Sequence, residues 1–486
     1  MSAASKGFAA SLIALGLAGC ALPPPLKPDD IRAQAIPNVH APASWVAHGA
    51  AAGVVGENWL ASFNDAQLDA LVKEAIAYNS DLRIAAGRVE QAAAYAKAAG
   101  STLYPVVNLL GHGGIGKSGG DGSGVNLFGV FANWELDLWG RVRAQRQAGE
   151  LQYEAAALDA QYARQSIAAM VAKSWFLAIE ARLQRAIAED IVRSSEQATG
   201  LSRDRLRVGR GDEYDVTLAE ANLETARDAA RQLALAQEQA LRALETLVGR
   251  YPSAAVEVAD ALPLMPGPVP AGLPSELLER RPDVIAAERR VNAAFYSVEE
   301  AKAARLPKIA LTASVNAIST DLFVLQNHEN PVASLGGNLA FPIFNGYALE
   351  AQVEVRTAEQ KVAIAQYGNV ASRAFNEVES ALSAEFAAND REAILARAVA
   401  SSARTVDLAQ VRYRVGSGDL RAVLQQNVAL YGARTALLSV QSERRIQRVN
   451  LYLALGGSFE SPQSSSRNDA GEPVPSTVAK AAANPN

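Results

Sequence analysis

The stretch "RVGRGDEYDVTLAE" (residues 207–220) is written a second time as "RVGSGDLRAVLQQN" (residues 414–427). Gly209 and Gly416 stand where a helix C-terminus calls for a residue at positive φ. Asp212 and Asp419 stand where the next helix calls for an N-cap, and Asp215 is placed to complete a variant of the capping box with Asp212. The phrase therefore reads as the tip of a helical hairpin, made twice.

Working outward, "LETLVG" ending at Gly249 is matched by "LYLALG" ending at Gly456. Upstream, "SDLRIAAGRVEQAAAYAKAAGSTLYP" is matched by "PDVIAAERRVNAAFYSVEEAKAARLP", which pairs Asp81 with Asp283, Arg88 with Arg290, Val89 with Val291 and Pro105 with Pro307. The chain is two tandem copies of a unit of roughly 200 residues. The copies cover residues 58–262 and 275–459, with a Pro-rich linker at 263–274. Residues 20–57 read as an extended N-terminal segment, and 460–486 as a polar, disordered tail.

Within each copy the hydrophobic period changes twice. A helical segment (about 65–101; about 283–305) ends near a proline, and the period then drops to two. In "VFANWELDLWG" Val130, Ala132, Trp134, Leu136 and Leu138 alternate with Asn133, Glu135 and Asp137. In "KIALTASVNA" Ile309, Leu311, Ala313, Val315 and Ala317 alternate with Lys308, Thr312, Ser314 and Asn316. Such two-faced strands fit a transmembrane β-barrel as well as a soluble sheet. Each copy offers two strands around a polar loop, making four per chain. Four strands cannot close a barrel, and an open edge in lipid leaves backbone groups without partners. If the strands lie in lipid, several chains must pool them.

Long proline-free tracts follow, from about 141 to 207 and from about 349 to 415. Their return helices offer seams with coiled-coil spacing: Ala219, Leu223, Ala226, Ala230, Leu233, Ala240, Leu244 and Leu247, then Leu430, Ala433, Leu437, Val440, Leu451 and Ala454.

The 486-residue chain has one cysteine, Cys20, in "GFAASLIALGLAGC". A positive charge, a short apolar core and small residues make a secretory signal over 1–19, too short for a transmembrane helix. The close "LAGC" resembles the bacterial lipoprotein box, which implies lipidation at Cys20 and, with Ala21 next, residence at the outer membrane. Beyond it no apolar run is long enough to span a bilayer. The net charge of −5 offers no basic footprint for nucleic acid. His40, His48, His112 and His328 are scattered, and no metal, cofactor or catalytic constellation is recognisable. An enzyme is not expected.

Taken together, helix, two strands, long helix, "RVGxGD" tip and return helix, repeated behind a lipobox and with "ERRPD" (279–283) opening the second copy, resemble the outer-membrane efflux protein family of TolC-type exit ducts. The likeness runs from about 58 to 457 and is to the lipoprotein branch serving resistance-nodulation-division drug pumps. It implies a mixed α and β fold in which three chains form a long α-helical barrel and a transmembrane β-barrel. The implied partners are two further copies, a periplasmic adaptor protein, an inner-membrane pump and outer-membrane lipid. The tips, Val208, Gly209, Gly211, Asp212, Val415, Gly416, Gly418 and Asp419, would meet the adaptor. The implied activity is passive conduction of small molecules or drugs to the exterior. Members of this branch often carry "LLDAQR" after the second tip; here the run is "VLQQNV", with Gln425 in the aspartate's place and Val428 in the arginine's. Asp215, Glu220, Arg421 and Gln425 are the candidate gate residues.

Other readings compete. "GHGGIGKS" (111–118) fits the phosphate-loop pattern, but no helix begins at its Lys-Ser, as that chemistry requires. "RGD" at 210–212 matches an adhesion tripeptide, yet the second copy writes "SGD", as a shared turn would. Trp134 and Trp139 read either as an interfacial girdle or as core tryptophans. A same-fold secretion duct, or a periplasmic coiled-coil scaffold lipoprotein, are the alternative functions. The scaffold gives no use for the two-faced strands.

Overall fold

The computed structural model of the chain describes residues 22–48, 53, 55–112, 126–319 and 332–460. Cys20, residues 113–118 of the phosphate-loop pattern and the tail beyond 460 lie outside the described residues. In chain order the elements are α1 (Pro28–Ala35), α2 (Ala66–Tyr78), α3 (Ser80–Ser101), β1 (Val106–His112), β2 (Asn126–Leu136), α4 (Arg141–Arg207), α5 (Glu213–Val248), α6 (Leu277–Arg280), α7 (Pro282–Ala303), β3 (Lys308–Ser319), β4 (Val332–Ala340), α8 (Ala348–Arg414) and α9 (Leu420–Ala454). The two long helices each run 67 residues without a break, over the proline-free tracts.

Two local departures from the sequence reading have clear causes. The segment expected to be extended contains α1, which starts on Pro28 and carries Asp29 and Asp30 in its first turn, where a helix N-terminus favours both. The helix expected across 65–101 is broken at Asn79. That side chain accepts from the backbone N–H groups of Asp81 at 2.9 Å and Leu82 at 3.2 Å, capping α3. Its Nδ2 donates to the Leu247 carbonyl at 2.8 Å, so the break is also a tie to α5.

The chain forms two compact units, and both long helices contribute to each. One unit gathers the described residues of 1–40, 84–162 and 282–373 and holds the sheet. Its strand order is β1-β2-β3-β4, antiparallel throughout. The middle pairing joins the two repeats: Leu136 meets Ile309 and Val130 meets Val315. Register sorts the side chains by face. Leu109, Val130, Val315 and Ala333 share one face with Val107, Ala132, Ala313 and Leu335. The other face carries Asn133, Thr312, Ser314 and Ser334, with Ser314 and Ser334 hydroxyls 2.7 Å apart and Asn316 Nδ2 donating to Ser314 Oγ at 3.1 Å. Within the chain both edge strands are exposed along their whole length, and Leu335 is 84% exposed.

At the strand-to-helix junction Asp137 accepts from the backbone N–H groups of Val142 at 3.0 Å and Arg143 at 2.9 Å, capping α4. Trp134 Nε1 donates to the Leu103 carbonyl at 2.9 Å, and Trp139 Nε1 to that of Pro307 at 2.7 Å. Both indole rings are exposed in the chain, pegged by their N–H groups to the segments that lead into β1 and β3.

The other unit gathers the described residues of 41–83, 163–281 and 374–486. The Pro-rich linker is bolted to it. Arg445 Nε donates to the Pro263 carbonyl at 2.7 Å, and Arg448 to the Pro266 carbonyl at 3.0 Å and to that of Gly267. Glu385 neutralises Arg448 through bonds of 3.0 and 3.1 Å to its Nε. Burial depresses the Arg445 guanidinium to about 10, so it stays charged at neutral pH. Trp45 Nε1 closes the linker's far end on the Ala271 carbonyl at 3.0 Å.

The helical seams are as spaced only near their ends. Ala219, Leu223, Ala226 and Leu244 are buried, whereas Ala230, Leu233, Ala240 and Leu247 are half-buried and Leu241 and Val248 take the inner places. In α9, Val440, Leu451 and Ala454 are buried and Leu430, Ala433 and Leu437 are half-buried. A strict seven-residue spacing drifts around an α-helix, so an expected stripe leaves the contact line within a few turns.

Candidate functional site: the paired hairpin tips

Both tips are built by the same bonds. After α4 the N–H of Arg210 bonds the Arg205 carbonyl at 2.8 Å and that of Gly209 bonds Leu206 at 3.0 Å. After α8 Ser417 bonds Arg412 at 2.9 Å and Gly416 bonds Tyr413 at 3.1 Å. These 6→1 and 5→2 pairs are a Schellman ending, with Gly209 at φ +70 and Gly416 at φ +82. A Cβ on either would meet open space, so only the backbone conformation demands glycine there. Gly211 and Gly418 sit in tight packing: a Cβ would lie 3.1 Å from Arg205 Cβ in the first tip and 3.0 Å from Arg412 Cβ in the second, so the neighbour would have to give.

Asp212 then accepts from the N–H of Asp215 at 2.8 Å, and Asp419 from that of Ala422 at 2.7 Å, capping α5 and α9. The reciprocal half of the capping box is not formed by Asp215. Its carboxyl is held above the usual carboxylate range, by burial first and then by the Asp212 charge, with Asp419 adding and Arg205 opposing. Val208 and Val415, which precede the glycines, are 68% and 72% exposed.

Two arginine–tyrosine pairs join the tips. Arg205 Nη1 donates to the Tyr413 carbonyl at 2.7 Å, with its guanidinium carbon 4.4 Å from the Tyr413 ring centre. Arg421 donates to the Tyr214 hydroxyl, with its guanidinium 5.8 Å from that ring. Beneath them Ala219, Tyr413, Leu420, Val423 and Leu424 form a buried cluster.

The four candidate gate residues do not bond one another among the described residues. Arg421 is engaged with Tyr214, Glu220 accepts from Arg203 at 2.6 and 3.1 Å, and Gln425 is exposed. Arg205, Tyr214 and Tyr413 were missed by sequence reasoning. One signal was available: Tyr214 and Arg421 occupy matching places in the repeated phrase, where the two copies differ in kind.

This architecture has known counterparts. The model of the outer membrane efflux protein family matches residues 71–250 and 273–457. The cation efflux system protein CusC of Escherichia coli O6:H1 is 30% identical over 456 residues, 92% of this chain and 98% of that protein. The pyoverdine export outer membrane protein OpmQ of Pseudomonas aeruginosa is 30% identical over 442 residues, 87% of this chain and 92% of that protein. Among solved structures, the CmeC outer membrane channel of Campylobacter jejuni superposes with a TM-score of 0.82 at 25% identity, covering 89% of this chain and 96% of that one. The open-state MtrE outer membrane channel of Neisseria gonorrhoeae gives 0.77 at 28% identity, covering 87% and 97%. The two matched spans fall on the two repeats, and the chain belongs to the outer membrane efflux protein family, a family of efflux channels and not of enzymes.

Proposed function

We propose that three copies of this chain assemble into a passive duct that receives its cargo from an inner-membrane pump and a periplasmic adaptor and releases it outside the cell. The observation that carries this reading is the sheet. One face is apolar, the other sets Asn133, Thr312, Ser314, Asn316 and Ser334 beside Leu110 and Phe131, and among the described residues neither β1 nor β4 has an outer partner. A sheet of that kind is stable in lipid only when its edges are closed by other strands. Pairing β4 of one copy with β1 of the next supplies them, and three copies of the four-stranded sheet close a barrel of twelve strands.

The tips would dock the adaptor, since the exposed valine and the glycine turn recur in both. Cys20 would carry the lipid that holds the N-terminal segment at the outer membrane. The arginine–tyrosine pairs would hold the closed state, since Gln425 stands where members of this branch often carry an aspartate. The names of CusC and OpmQ concern cations and pyoverdine, and the chain is equally identical to both. The duct would therefore take whatever its pump supplies, with selectivity upstream.

The test is planar-bilayer conductance of the detergent-extracted protein beside its mass in native gels. Small, mostly closed steps from a heat-resistant trimer are expected. A monomer that neither inserts nor conducts would overturn the duct and leave a lipid-anchored helical scaffold.

A further inference from the structure

A cavity of about 210 Å³ lies between α4, α5 and α9, further along the hairpins than the tip cluster. Ala188, Ala226 and Leu424 form its buried floor, and the small alanine side chains on two helices are what leave it hollow. Val428 stands at its rim, 64% exposed. We propose that this cavity is a binding site for a small neutral molecule: a single ring bearing a hydroxyl or N–H donor.

Three observations set that class. The volume exceeds the roughly 150 Å³ of an apolar cavity that holds benzene, so one substituted ring fits. Among the described residues no charged side chain lines the cavity. An ionised ligand would lose its hydration without gaining a counter-charge, which a neutral one avoids. The polar groups that do line it have acceptor capacity to spare. The Asn222 amide donates to the Leu218 carbonyl at 2.8 Å, leaving its own carboxamide oxygen free of that bond. The Thr225 hydroxyl donates to the Ala221 carbonyl at 2.9 Å, which leaves its lone pairs. Ser195, only 9% exposed, adds a hydroxyl from α4. A ligand donor would be met from more than one helix.

The site can be tested on the assembled, detergent-extracted protein with 4-fluorophenol, followed by fluorine NMR. A saturable bound resonance is expected. Val428→Arg, which fills the rim, and Ala226→Leu, which fills the floor, should each weaken it at least about tenfold while the assembly keeps its mass. The charged analogue 4-fluorobenzenesulfonate should give no bound resonance. The proposal is overturned if wild type and both variants give the same signal, which is partition into detergent. It is overturned equally if the sulfonate competes, or if the assembled wild type gives no bound signal because water or a neighbouring copy fills the groove.

Discussion

Tyr214 and Arg421 stand 207 residues apart at matching places in the two halves of the chain, and in the folded protein the guanidinium of one donates to the hydroxyl of the other. Equivalent positions that touch mean the two tips face each other. A repeat that kept the same residue at both places would set tyrosine on tyrosine or arginine on arginine. The difference between the copies makes the contact attractive.

The second pair, Arg205 on Tyr413, is the more buried one, and a cation–π contact of this kind contributes about 1 kcal/mol. Arg205→Ala together with Arg421→Ala is expected to raise the open fraction of single channels without changing assembly mass. Arg205→Lys keeps the charge but loses the flat stacking surface and should fall between. Bilayer recordings of unchanged closure would remove these pairs from the gate.

Gly209→Val and Gly416→Val place a β-branched residue at positive φ, at about 1–2 kcal/mol of local strain each, at positions with open space around them. Cells that rely on this duct should become drug-sensitive while the trimer persists in gels. Full resistance in both variants would move adaptor docking away from the tips.

Leu335 lies on the apolar face of the sheet and Asn338 on the opposite one. Leu335→Arg should cost about 2–4 kcal/mol near the bilayer midplane and deplete the heat-resistant trimer, whereas Asn338→Arg should be tolerated. Equal trimer yields from the two variants would contradict the lipid-facing assignment.

Glu245 is buried and accepts from the N–H groups of Ala254 and Ala255 at 2.7 Å and of Val256 at 3.2 Å, holding the loop after α5. Burial raises its carboxyl, but these bonds and the Ser253 hydroxyl outweigh it and leave it below the ordinary range. A depressed carboxylate stabilises above its unfolded value and loses that contribution as pH falls through the folded one. Glu245→Gln should lower Tm at pH 7, with the deficit shrinking in acid. Glu245→Ala should cost about 3 kcal/mol, since it strands several donors.

Asp215 carries the opposite sign. Its raised carboxyl favours the fold fully below the unfolded carboxylate range and loses that contribution as pH rises through the folded value. Asp215→Asn should therefore give a small rise in Tm at pH 7 and none in acid. A variant less stable at neutral pH would mean that the charge is used.

Much of this was readable before the structure because it is local. Glycine at positive φ, aspartate at an N-cap, proline-free tracts and period-two strands are each written within a few residues. Asn79 was not, because its break in the helix is fixed as much by the Leu247 carbonyl as by its own neighbours. Nor was the linker: Pro263, Pro266 and Gly267 look like a loose tether until Arg445 and Arg448 hold their carbonyls from more than a hundred positions away. Arg205 and Tyr413 escaped for the same reason. Their meeting depends on how two hairpins lie together, and no periodicity reports that.

The pairing of β2 with β3 bears on the order in which the protein can form. Roughly 170 residues separate Leu136 from its partner Ile309, and closing so long a loop is among the slower steps available to a chain. The hairpin tips close over a handful of residues and can form as soon as each emerges. The β1–β2 ribbon of the first repeat must then wait, apolar face and edge uncovered, until the second repeat has been synthesised and exported. Membrane insertion thereby becomes a late event that only a complete chain can reach, and a chain cut short after its first repeat would be left with a strand pair it can neither bury nor complete.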